Sequence, residues 1–480
     1  MIKRSAVINV INEAPIKAKF YILFFALVSM FAFIVAKDVS LPHAVTVPAA
    51  ALGLIVVLIG GFRNPSFILL ALVAYLPFSK ILVGQFGSEM VGLNLSNIFL
   101  LLVILAWIAS SLKSGQRFLE KGSLNGVIVL FCLWGLFSLV RAKFLYGNNY
   151  NMEDYFILFK RWVTPILLYF IALNMVKDKN TLKKVVFVMM VATFLIGLLA
   201  IRDYINASDS SSSLEDSRVG GVFQQANMLG AFFVYNMFTF FGFFLYYYRS
   251  FKYWLLLIPF AVCFRGIMVT FSRGAYLAFA FGGLMMTFFK SKALFIVASL
   301  LLIVVMLNPV FLPEGIQYRL ASTFGGSTVI STNTEDITDT SAAVRMKIWV
   351  GAVEMIKDQP LFGFGYGVFP YIIGSYVSGI DEMDAHNTYL ILAAEMGIPA
   401  LLIFLLILLM LTKNAWWLLR CVEDRYIKAF ALGVLGGLSG LLVANMFGSR
   451  LNSEEVSSYF WIYAGLIMAA VRMKQKGAIV

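Results

Sequence analysis

The chain has 480 residues, 61% of them hydrophobic and only 13% charged, with a mean hydropathy of +0.86. A soluble domain carries about 25% charged residues, so this composition excludes a soluble globular protein and points to an integral membrane protein. The net charge of +13 is not the footprint of a nucleic-acid binder, because the basic residues gather in the short gaps between apolar runs, which is how membrane topology is written.

Apolar runs of about 20 residues, each long enough to cross a bilayer core, recur from end to end. They predict fourteen spans, at roughly 19–36, 46–62, 66–83, 95–112, 124–142, 155–176, 184–202, 220–248, 253–270, 272–289, 293–311, 387–412, 427–447 and 456–472. The first run follows Lys17 and Lys19 in the manner of a signal peptide, but no small-residue cleavage site closes it, so it is read as an uncleaved helix. The gap around Arg63 to Pro65 is tight, and the ninth and tenth spans meet at a very short turn, so either pair is open to reading as a re-entrant or broken element. With the N-terminus inside, basic residues fall at nearly every inside turn, which predicts that both termini are cytoplasmic.

One segment breaks the pattern of short turns. Residues 312–385 form a long loop that the alternation places outside, and loops of that length are usually functional or disordered. Gly325 to Thr340 is rich in Ser, Thr and Gly and reads as flexible. Ser341 to Lys357 has Val344, Ile348, Ala352 and Ile356 at helical spacing. Pro360 ends that helix, and Gly363, Gly365 and Gly367 make a compact turn rather than a nucleotide loop. The expected architecture is therefore all-α, a polytopic transmembrane helical bundle of about 12–14 spans with one long, partly helical outer loop. Residues 1–202 form an N-terminal set of transmembrane helices, and 203–480, including the loop 312–385, carry the candidate chemistry.

Ionisable groups within or beside spans are expensive and are functional candidates by default. That filter selects Arg218, Arg265, Arg273, Arg345 and His386, all placed at or near the outer surface by a topology drawn without them. Several guanidinium groups on one face suit an anion, because each pairs bidentately with phosphate oxygens. A histidine beside them is the side chain best suited to proton transfer near neutral pH. Singly, a span-end arginine also fits snorkelling to headgroups, and a histidine at a helix start also fits a structural hydrogen bond. Lys160 and Arg161 are read as snorkelling, and His43 as structural. Cys132, Cys263 and Cys421 show no pair spacing and read as packing residues. Asp381, Glu382 and Asp384 raise metal binding, but a solvated loop is the preferred reading, and neither a metal nor a cofactor is expected.

Four ordered stretches resemble the O-antigen ligase family, which includes O-antigen polymerases and protein glycan ligases. They are Arg218-Val219-Gly220-Gly221-Val222-Phe223 with Asn227; Ser272-Arg273-Gly274-Ala275-Tyr276; Arg345 to Trp349 followed by Pro360-Leu361-Phe362-Gly363-Phe364-Gly365; and His386-Asn387-Thr388-Tyr389-Leu390 with Glu395-Met396-Gly397-Ile398-Pro399. The resemblance implies a GT-C-like bundle and a metal-independent transfer of a preassembled glycan from undecaprenyl pyrophosphate to an acceptor hydroxyl, such as that of lipid A-core, at the outer face of the bacterial cytoplasmic membrane. It implies that Arg218 and Arg273 grip the pyrophosphate and that His386 acts on the acceptor hydroxyl, and Arg345 matches a recurring loop arginine; Arg265, from its place in a span, and Asn387 are further candidates. The expected partners are the lipid-linked glycan, a glycan or lipid acceptor and membrane lipids. Ala226 departs from the proline the family often carries there, and the span count exceeds the twelve typical of ligases. A polymerase using the same donor is the alternative, less favoured because only one outer loop is large. A transporter of the same lipid should carry its charges near the midplane between repeats, which this sequence does not show.

Overall fold

The computed structural model describes residues 65–82, 95–114, 118–208, 218–308, 310, 317, 340–380 and 382–479. Every described residue belongs to one compact unit, within Val57–Val480. The first two expected spans, the signal-like first run, His43 and the stretch Gly325 to Thr340, except for Thr340 itself, lie outside the described residues.

The described residues are mostly helical, with no strand among them. The long helices are α1 (Pro65–Tyr75), α2 (Leu95–Ser114), α3 (Asn125–Tyr146), α4 (Met152–Met175), α5 (Lys179–Ser208), α6 (Ala226–Tyr247), α7 (Leu257–Val269), α8 (Arg273–Lys290), α9 (Lys292–Leu307), α10 (Thr340–Asp358), α11 (Thr388–Cys421), α12 (Arg425–Ala444) and α13 (Glu454–Gln475). Among the described residues, eight helices are long and apolar enough to cross a membrane: α3, α4, α5, α6, α7 with its 3-10 lead-in from Phe251, α11, α12 and α13. The expected polytopic all-α bundle is thus what the chain forms. The ninth and tenth spans are two separate helices, α7 and α8, joined by the turn Thr270–Ser272.

Without a hydrophobic drive between helices in lipid, association rests on close van der Waals packing, and small residues permit it. The bundle centre follows that rule. α12 packs on α6 and α8, and α13 packs on α4. A Cβ on Gly437 of α12 would stand 2.0 Å from the Tyr235 carbonyl oxygen of α6, so only glycine lets the two backbones approach this closely. At the other extreme, α9 is almost wholly apolar yet buries none of its side chains in the protein, as suits a lipid-facing helix.

α11 holds the feature that positions the long loop. Gly397 sits at φ 83°, ψ 168°, and Pro399 follows two residues later, so the helix breaks there. That backbone conformation is essentially restricted to glycine. Broken helices survive at membrane depth only where other groups satisfy the released backbone, and here the glycine turn of the loop does so. Phe364 N–H donates to Ala394 O and Gly365 N–H to Glu395 O, both at 2.8 Å, while Ile398 N–H donates to Pro360 O at 2.8 Å. Trp134 Nε1 donates to Met396 O at 2.8 Å and Ser138 Oγ to Glu395 O at 3.2 Å. The buried Glu395 carboxylate accepts from Phe369 N–H at 3.1 Å. From α3, Arg141 Nη1 donates to Gly363 O and Tyr146 to Phe364 O at 3.0 Å. The 363–367 segment is a turn, as its spacing implied, and it is locked into a break in α11.

Beyond this joint, α10 spans Thr340–Asp358, within a residue of the helix expected at each end. Its apolar positions Ile348, Ala352 and Met355 form a small core with Phe369, Ile373, Ile380, Ala385 and Ala394. That core fixes α10 against the first turns of α11.

Candidate functional site

Turns at one end of the bundle converge. The first precedes α6. Val219 N–H donates to Val269 O at 3.2 Å, and Arg218 Nε donates to Thr270 O at 3.3 Å, with Nη2 on Asn227 Oδ1 at 3.3 Å. Arg218 is thus tied to the α7–α8 turn. That turn is closed by Thr270, whose hydroxyl donates to Ile267 O at 2.7 Å and accepts from Ser272 N–H at 3.2 Å. Phe271 within it adopts φ 47°. Arg273 is the first residue of α8. A cation at a helix N-terminus is unfavourable on helix-dipole grounds, whereas an anion there meets both guanidinium and backbone N–H groups.

The second turn leads into α11. Ala385 is buried, and its carbonyl accepts from Trp349 Nε1 at 2.9 Å. His386 follows at φ 48°, a conformation uncommon outside glycine although tolerated by histidine better than by most residues. The helix cap is not His386 but Asn387, whose Oδ1 accepts from Tyr389 and Leu390 N–H at 3.0 and 3.2 Å. The structural alternative for this histidine, a cap on α11, therefore falls to its neighbour. Asn387 is occupied in that task.

The third turn joins α12 to α13. Thr388 Oγ1 donates to Asn445 Oδ1 at 2.7 Å, and Thr388 N–H to Asn445 O at 3.0 Å, which fastens the second turn to the third. Ser449 Oγ donates to Asp384 Oδ2 at 2.9 Å, and that same oxygen lies 3.4 Å from His386 Nδ1. Arg450 is buried, with Nη2 donating to Phe447 O at 2.7 Å. The Phe447 ring packs near Trp349, and Gly274 of α8 lies against the Phe447 side chain. Because Arg345 and Trp349 are four residues apart on α10, they share a face, so the contact of Trp349 with Ala385 turns Arg345 toward the same end.

The electrostatics follow from this placement. Burial holds the His386 imidazole below its ordinary value; Asp384 opposes this, and Arg345 and Arg450 add to it. Burial likewise pushes Arg450 down to about 10, helped by Arg345 and Arg218 and opposed by Asp384. A neutral imidazole with Nδ1 toward a carboxylate leaves Nε2 to accept a proton.

The structure therefore brings Arg218, Arg345 and His386 together, with Arg273 on the adjoining first turn of α8. Arg265 stands apart. It is exposed and stacks over the Tyr204 ring, 5.1 Å from its centroid. Asp384 is not part of a merely solvated loop, since Ser449 and His386 both engage it. Sequence reasoning missed Arg450, and it named Glu395 only within a motif and not as a candidate. Glu395 carried the available signal, an acidic residue inside a span. Arg450 carried none beyond lying in a short turn, where an arginine ordinarily snorkels.

Fold and site together define a multi-pass membrane protein with a cluster of arginines and a histidine at one end of its helical bundle. Residues 255–405 match the family model described as O-antigen ligase, a match that supports a glycan-processing membrane enzyme of that kind. The matched region contains Arg265, Arg273, Arg345, His386, Asn387 and Glu395; Arg218 and Arg450 lie outside it. No curated protein matches the chain.

Proposed function

We propose that this protein transfers a preassembled glycan from undecaprenyl pyrophosphate to an acceptor hydroxyl, at the outer face of the bacterial cytoplasmic membrane. The observation that carries the reading is His386, held at φ 48° with Nδ1 toward Asp384 and set near Arg345 and Arg450, while Asn387 takes the helix cap. Arg218 and Arg273 bind the pyrophosphate, and their forks match its oxygens. This arginine-based neutralisation makes the lipid pyrophosphate a good leaving group without calling on a metal ion. His386 Nε2 takes the proton of the acceptor hydroxyl as its oxygen bonds to the anomeric carbon. The bond from that carbon to the pyrophosphate oxygen breaks, and undecaprenyl pyrophosphate departs with the electron pair. A positioned base contributes about 10²–10⁴-fold. The basic bias at the short turns supports cytoplasmic termini and an outward-facing site.

The test is transfer by the reconstituted full-length protein with purified lipid-linked donor. His386→Gln keeps polarity but supplies no base, and is expected to reduce transfer by about 10²-fold or more; Arg218→Lys and Arg273→Lys are expected to fall well short of wild type, because an ammonium cannot reproduce the fork. Near-normal transfer by His386→Gln overturns the base. Offering lipid A-core in one arm and a second lipid-linked glycan in another separates ligase from polymerase.

A further inference from the structure

Arg450 belongs neither to the residues that sequence reasoning selects nor to the matched family region, yet its environment is built for it. Its guanidinium, in a residue only 4% exposed, folds back over Gly448. A Cβ at position 448 would stand 2.1 Å from Arg450 Cζ and 2.3 Å from Nη2, so the group can occupy this seat only above a glycine. There Nη2 donates to Phe447 O at 2.7 Å. A backbone carbonyl carries no net charge and satisfies one of five guanidinium donors. The carboxylate that acts on Arg450 is Asp384, and it is already engaged by Ser449 Oγ and turned toward His386. Arg218 and Arg345 bring further positive charge to the same place. A buried charge without a close counter-ion is costly, and this one is retained near other arginines and the candidate base. Its charge acts on both Arg218 and His386.

We propose that Arg450, seated on Gly448, forms an anion subsite between Arg218 and His386 that takes the pyrophosphate of the donor. This rests on the reading under Proposed function and extends it to a residue of the α12–α13 turn. With the pyrophosphate bridging Arg218 and Arg450, the anomeric carbon is delivered to the side of the cluster where His386 stands. Arg450 is then a donor-binding group, and Gly448 is a positioning residue that acts through it.

The experiment uses the full-length protein in nanodiscs. Inorganic pyrophosphate is the binding probe, read by calorimetry, and initial rates are measured against donor and acceptor separately. Arg450→Gln is expected to weaken pyrophosphate binding at least tenfold and to raise the donor KM while leaving the acceptor KM unchanged, with Arg450→Lys intermediate. Gly448→Ala, which keeps the arginine but displaces it, is expected to reproduce the donor KM effect. If Arg450 merely clamps Phe447 O, Arg450→Gln lowers the melting temperature but leaves the pyrophosphate Kd unchanged, and the subsite is overturned. Should Arg450→Gln fail to fold, an unchanged Kd in folded Gly448→Ala overturns it equally. Arg450-dependent pyrophosphate binding by a wild type that transfers no lipid-linked glycan keeps the subsite and sinks the transfer reading. A wild type that binds no pyrophosphate sinks both.

Discussion

The joint between the glycine turn and the break in α11 makes a quantitative prediction about Gly397→Ala. Alanine at this position meets two penalties. The conformation at φ 83°, ψ 168° costs a residue with a side chain about 1–3 kcal/mol, and the new Cβ would lie 2.2 Å from the Leu361 carbonyl oxygen. Relief requires the loop to draw back, which breaks or lengthens the bonds Ile398 N–Pro360 O, Phe364 N–Ala394 O and Gly365 N–Glu395 O, worth about 1 kcal/mol each. The joint should thus lose at least about 3 kcal/mol locally, a shift of about 100-fold in its opening equilibrium. Gly379→Ala is the control, because Gly379 also has positive φ, 77°, but nothing lies within 4 Å of its Cβ position. Limited proteolysis of the loop around 360–380 tracks the open population when closing is fast. Gly397→Ala should be cleaved about 100-fold faster than wild type and Gly379→Ala only slightly faster. Equal rates for the two variants would refute the claim that backbone approach, rather than φ alone, holds the loop.

The pH profile of transfer tests the surroundings of His386. The base must be neutral, so the rate falls as pH drops through its pKa; since burial and the arginines hold that pKa low, the acid limb should lie below that of an ordinary histidine. Asp384→Asn removes the group that raises it and should move the limb further down, whereas Arg345→Gln should move it up; shifts in the same direction would refute the assignment. For topology, Ser378 is exposed in the loop. In a protein with Cys132, Cys263 and Cys421 replaced, Ser378→Cys should react with a membrane-impermeant thiol reagent in intact spheroplasts, and reaction only after lysis would invert the proposed orientation.

Spans and loop helix were legible because hydropathy and helical periodicity are local. Pro360 marks the end of α10 to within two residues of where Asp358 closes it, since a proline acts on its own neighbours. Local signals also explain the errors. The eighth span was expected from 220, but α6 starts at Ala226, because Gly221–Phe223 forms a 3-10 turn and Gln224 adopts φ 58°. The joint was not legible. Its bonds link α3, the loop and α11 across separations such as 222 residues between Arg141 and Gly363, and no periodicity records a partner that far away. Arg450 was hidden for a similar reason. In sequence it is an arginine in a short turn, and only the fold shows it seated on Gly448 beside Asp384 and Arg218.

The ordered motifs of the resemblance sort into two physical tasks. Arg218 to Asn227, Ser272 to Tyr276 and His386 to Leu390 form turns that meet at one end of the bundle, where charge is concentrated. Pro360 to Gly365 and Glu395 to Pro399 touch each other directly and form the joint. The second task serves the first through α10. The joint and the core of Ile348, Ala352, Met355 and Phe369 fix that helix against α11; α10 presents Trp349 to the Ala385 carbonyl, and that hydrogen bond braces the residue immediately before His386. A change at Gly397 therefore reaches the candidate base without touching it, by way of the loop, the helix and one indole. On this argument Trp349→Phe, which keeps the ring but removes the donor to Ala385, should impair transfer in the same manner as Gly397→Ala while leaving the loop resistant to protease. If Trp349→Phe transferred normally, the joint would matter only for holding Arg345 in place.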